Sequence, residues 1–88
     1  MRVEKKTIIL GDEYDEALRD ALRIVLVRNG AVGINKFFGV GGSQEVETLE
    51  VRIGDDLITI EAETFVGLTI TGSSAAVDSL ALQVKQRL

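Results

Sequence analysis

LEVRIGDDLITIEAETFVGLTIT, residues 49–71, decides the fold. Leu49, Val51 and Ile53 alternate with Glu50 and Arg52. After Gly54-Asp55-Asp56, Ile58, Ile60 and Ala62 alternate with Thr59, Glu61 and Glu63. After a second short turn near Thr64-Phe65, Val66, Leu68 and Ile70 alternate with Gly67, Thr69 and Thr71. A period of two sends successive side chains to opposite faces of a pleated strand, so each run has one apolar and one polar face. The links between runs are short and polar or glycine-bearing, which makes them hairpin turns. The stretch is therefore read as an antiparallel meander. Its covered face takes Leu49, Val51, Ile53, Ile58, Ile60, Val66, Leu68 and Ile70. Its other face shows Thr48, Glu50, Arg52, Thr59, Glu61, Glu63, Thr69 and Thr71.

Upstream, Val32, Ile34, Phe38 and Val40 fall on one face at period two, interrupted by Lys36, which predicts a strand over Ala31–Val40. Gly39-Val40-Gly41-Gly42-Ser43 is expected to be a flexible turn or loop. Before that, Tyr14, Leu18, Ala21, Leu22 and Val25 recur at helical spacing, widened by Ala17, Ile24 and Leu26. The spacing predicts a helix from about Glu13 to Arg28, capped by Asp12 and stopped at Asn29-Gly30. Val3–Leu10 is rich in β-branched residues and apolar on both faces near its end, which predicts an interior strand. Downstream, Ser73 or Ser74 caps a helix whose stripe is Val77, Leu80, Ala81, Val84 and Leu88. Asp78 lies early in it and Lys85 and Arg87 late, as the helix dipole favours.

The expected fold is a single domain over residues 1–88 of class α+β. It is a two-layer sandwich in which an antiparallel-rich sheet of four to five strands has two helices on one face, in the order β-α-β-β-β-β-α. This order resembles plait-like domains that open strand–helix–strand–strand, a likeness of architecture that carries no diagnostic motif and implies no function.

Composition narrows the chemistry. Apolar residues make up 45% of the 88, enough for one core and too many for disorder. There is no cysteine, so disulfides, thiolate zinc sites and cysteine nucleophiles are excluded, and no histidine, the usual general base and metal ligand. A net charge of −4 has the wrong sign for a phosphate-driven nucleic-acid binder. Arg2, Lys5, Lys6 and Lys36 are the candidate basic patch, but no aromatics interleave them. Ile8-Ile9-Leu10 is too short for a secretory signal, which needs roughly 7–15 apolar residues. Ile24–Val27, the longest strongly apolar run, is far short of the ~20 residues of a membrane span. A cytoplasmic protein without membrane or nucleic-acid partners is expected.

The remaining candidate chemistry has a plainer structural explanation in each case. Ser43 lies in the glycine loop, Ser73 and Ser74 at a helix cap and Ser79 in a helix, and none has a Ser-x-x-Lys or Gly-x-Ser-x-Gly context. The glycine loop is followed by Gln44, Glu45, Val46 and Glu47. These lead into a strand and would repel a phosphate, so the loop is not a phosphate cradle. Asp55 and Asp56 are explained by turn propensity, and two adjacent carboxylates fall short of a calcium loop. No catalytic residue, cofactor or metal is expected. The charges Glu16, Arg19, Asp20 and Arg23 form a solvated helix face of weak ion pairs.

Phe37 and Phe38 are the most informative pair. Neighbours on a strand point to opposite faces, so one of them is left on the polar face or at an edge unless both sides are covered. A non-catalytic module that self-associates, most simply as a dimer, is the function expected. Its interface would comprise Phe37, Phe38, Val40, Gly41 and Gly42 together with Thr59, Thr69 and Thr71 of the open sheet face. A small-ligand sensor with its pocket between Ala31–Ser43 and the sheet is the alternative; Asn35, Lys36, Ser43 and Gln44 are its polar contacts. A weaker third reading is an acidic immunity or antitoxin-type protein using Asp12, Glu13, Asp15 and Glu16 against a basic partner.

Overall fold

The computed structural model describes residues 4–41 and 44–88, with side chains for 4–33 and 46–88. The elements run β1 (Lys5–Gly11), α1 (Glu16–Arg28), β2 (Val32–Gly41), β3 (Gln44–Ile53), β4 (Asp56–Glu63), β5 (Gly67–Ser73) and α2 (Ser74–Arg87). The strands form one antiparallel sheet of five in the order β1-β5-β4-β3-β2. Strands β2 to β5 are the meander, and the first strand returns to pair with the last. Strands β1 and β2 are thus the two edges, and α1 carries the chain from one to the other. This is the α+β class and element order expected.

Ile58 and Ile70 pair with neighbours at the centre of the sheet and are fully buried. Around them Val51, Ile60 and Leu68 join Leu18, Ala21, Leu22, Val25 and Leu26 of α1 and Val77, Leu80, Ala81 and Val84 of α2 in one cluster. Both helices therefore contribute to a core built on the sheet face that the alternation marked as covered. The turn Gly54-Asp55 joins β3 to β4 with Gly54 at φ +59, the left-handed conformation a two-residue hairpin requires. Helix α1 closes with the Ala31 N–H on the Leu26 carbonyl and the Gly30 N–H on Val27, with Gly30 at φ +75.

Several expectations are corrected. β1 is an edge strand, not an interior one: Ile8 and Leu10 pack against the core, while Ile9 is 61% exposed on the other side. Helix α1 begins at Glu16, and its N-cap is Asp15, whose carboxylate accepts the Leu18 N–H. Asp12 instead accepts the Tyr14 N–H with its side chain and the Asp15 N–H with its carbonyl, a turn ahead of the helix. Tyr14 is therefore outside the buried stripe and 68% exposed, and Ala17 is exposed too. Val66 lies in the β4–β5 turn and is exposed, and Leu88 is the exposed residue just past α2.

Three residues expected in the flexible turn or loop are strand instead. Gly39, Val40 and Gly41 belong to β2, and β3 starts already at Gln44, so the connection narrows to residues 42–43, which lie outside the described residues. The ladder also slips by one residue between Gly33 and Asn35. Val32 is opposite Arg52, whereas Phe38 is opposite Glu47, and these β3 positions lie on opposite faces. The bulge thus breaks the single apolar face read across Val32, Ile34, Phe38 and Val40.

Candidate functional site

The sheet face away from the helices is organised in cross-strand rows. One row runs Thr7, Thr71, Thr59, Glu50 and Asn35, and the next runs Ile9, Thr69, Glu61, Thr48 and Phe37 by register. Directly paired residues share a face, so Thr59, Thr69 and Thr71 do come together. The Thr7 and Thr71 hydroxyls share a hydrogen bond of 2.8 Å. Thr69, paired with Ile9 and Glu61, is only 6% exposed. Val32, Arg52 and Leu57 form a further row, with Val32 and Leu57 exposed.

Phe37 holds the last position of the Ile9 row, at the β2 edge, and Phe38 is paired with Glu47 in the register of the opposite face. Val40 and Gly41 pair with Glu45 and Gln44 near the hairpin end. The side chains of Phe37, Phe38 and Val40, like Gly42 as a whole, lie outside the described residues. Among the described residues no strand pairs with the outer side of β2, so its backbone donors and acceptors on that side face outward.

On the helix side, a cavity of about 500 Å³ opens between α1 and the sheet. Among the described residues its walls are Leu22, Leu26 and Val27 of α1, Ala31 just before β2, Gly33 in β2, and Leu49, Val51, Ile60, Ala62 and Leu68 of the sheet, and Arg19, Asp20, Arg23 and Glu47 supply its charges. It exists because α2 packs over β1 and β5 while α1 packs on α2, leaving the β3 side of this sheet face less covered. Arg19 on α1 reaches Glu47 on β3 at 3.2 Å and donates a second hydrogen bond to the Glu13 carbonyl at 2.9 Å. Arg23 pairs with Asp20 on the helix surface at 3.3 Å. Sequence reading places Arg19, Asp20 and Arg23 on a solvated helix face but gives no sign of this cavity. Glu47, at an apolar-face position of β3, is the one signal that could have pointed there.

The other candidates resolve into structural roles. Ser73 caps α2 by accepting the Ala76 N–H and donates to Asp56, which is the first residue of β4, leaving Asp55 in the turn. Ser79 accepts from Gln83. Of the acidic run, Asp12 and Asp15 serve backbone amides and Glu13 is buried. Lys5 and Lys6 lie on one edge strand and Lys36 on the other, so the sheet separates them, and Lys6 is paired with Asp78 at 2.7 Å. Among the described residues no three carboxylates converge, and no helix is long and apolar enough to cross a membrane.

No protein-family model matches this chain, and neither does any curated protein or solved structure.

Proposed function

We propose that the protein is a non-catalytic interaction module that associates with a second copy of itself through the open sheet face and the adjoining β2 edge. What supports this reading is that the core cluster joins both helices to one face of the sheet, and among the described residues no helix belongs to the other face. Its β1 and β5 side carries Thr7 and Thr71, which pair with their own kind without stranding charge, with Thr59 beside them and apolar Ile9, Val32 and Leu57 around them. Glu50, Arg52, Glu61 and Glu63 share this face on β3 and β4, so such an interface has to centre on the β1 and β5 side and leave these charges toward its rim. The test is the mass in solution by analytical ultracentrifugation. A multiple of 9.5 kDa that falls to the single-chain value in Thr71→Asp and in Phe37→Asp, with both variants still folded by circular dichroism, is the expected result. A single-chain mass at high micromolar concentration for the unaltered protein overturns it.

A second reading, a small-ligand binding domain, is favoured by a different observation. The cavity beside α1 is of ligand size, apolar on its walls and charged at one side, which is the common make-up of small-molecule sites.

A further inference from the structure

We propose that the cavity between α1 and the sheet binds a hydrophobic anion, an apolar body carrying one carboxylate head, and that Arg19 holds the head. This rests on the ligand-binding reading and gives it a chemical class. Leu22, Leu26, Val51, Ile60 and Leu68 offer water in the cavity no hydrogen-bond partner from their side chains, so an apolar body displaces it favourably.

The sign of the head follows from which charge at the cavity is fixed. Asp20 and Arg23 neutralise one another on the exposed helix surface, each mostly in water. Arg19 and Glu47 are the pair that spans α1 and β3. They are held unequally. Arg19 is tied by its other terminal nitrogen to the Glu13 carbonyl, whereas the Glu47 carboxylate has, among the described residues, Arg19 as its partner. A half-exposed pair of this kind contributes little, so a competing carboxylate displaces Glu47 into water at small cost. Arg19 stays in place, and its planar fork offers parallel N–H donors to the incoming head. A cationic head would have to dislodge the anchored member instead.

The test titrates the full chain with decanoate, decanol and decyltrimethylammonium. Affinity is read by calorimetry, and the site by methyl chemical shifts of Leu22, Leu26 and Leu68. Decanoate is expected to bind tightest and to move those methyls. Arg19→Gln is expected to weaken decanoate roughly tenfold or more, the size of one charge-assisted hydrogen bond, and to leave decanol unchanged. Glu47→Gln removes the competitor and is expected to tighten decanoate. Decanol binding in the cavity as tightly as decanoate, or the ammonium binding tightest, overturns the anion while leaving a ligand pocket. Equal weakening of decanol and decanoate in Arg19→Gln makes that residue structural and overturns its role. If none of the three probes moves the cavity methyls, the proposal and the ligand-binding reading fall together.

Discussion

Gly67 passes against the backbone of Gly11 so closely that a β-carbon at position 67 would overlap the Gly11 carbonyl oxygen. Gly67 also sits at φ +109, a conformation L side chains rarely adopt. Both constraints arise where the end of β1 meets the start of β5, with Gly11 opposite Leu68. The obstacle is main chain and cannot swing aside. Gly67→Ala is therefore expected to lower stability by about 2 kcal/mol or more, read from the urea unfolding midpoint at constant slope. A loss under half of that would mean the β1–β5 junction relaxes freely.

The helix α1 entry separates two aspartates with similar sequence credentials. Asp15→Ala removes the carboxylate on the Leu18 N–H and should cost about 1 kcal/mol. Asp12→Ala removes a turn bond to Tyr14 outside the helix, and should cost less. The order of the two thermal midpoints checks this. Asp12→Ala being the more damaging would place the helix start where the sequence reading put it.

Ile58 is fully buried, and its truncation leaves a hole between sheet and helices. Ile58→Ala is expected to cost about 2–5 kcal/mol, a large part of what an 88-residue domain has. Leu82, 59% exposed on α2, belongs to the same residue class but lacks the packing. Leu82→Ala should stay within about 0.5 kcal/mol. Parallel denaturation curves decide the contrast.

Asn29 joins the two helices. Its side-chain amide donates to the Val25 carbonyl at 2.7 Å and to the Gln83 side chain of α2 at 3.0 Å. A double-mutant cycle with Asn29→Ala and Gln83→Ala should return a coupling of about 1 kcal/mol. Additive losses would show that the bond between the helices contributes nothing.

Much of this molecule is legible in local periodicity. The alternation in residues 49–63 puts Leu49, Val51, Ile53, Ile58 and Ile60 on one face and Glu50, Arg52, Thr59 and Glu61 on the other, as the register has them, because the pleat repeats every two residues whatever lies beyond the strand. The pattern failed where one inserted residue changed the count. The slip between Gly33 and Asn35 moves Val32 to the face opposite Phe38's register position, and period two carries no warning of it. Thr59, Thr69 and Thr71 share a face in the register, as their period-two spacing has them. The burial of Thr69 and the cavity beside α1 have no mark in the sequence.

By itself the sequence determined the order of strands and helices, the stop of α1 and the absence of thiol and imidazole chemistry, since each depends on residue type or on neighbours a few positions away. Tertiary structure alone decided that β1 is an edge, that Thr7 meets Thr71 across 64 positions, and that Arg19 finds Glu47 at an apolar cavity. Those pairings are settled by which surfaces are buried together once the chain closes on itself. That is a sum over the whole core and leaves no mark on any one segment.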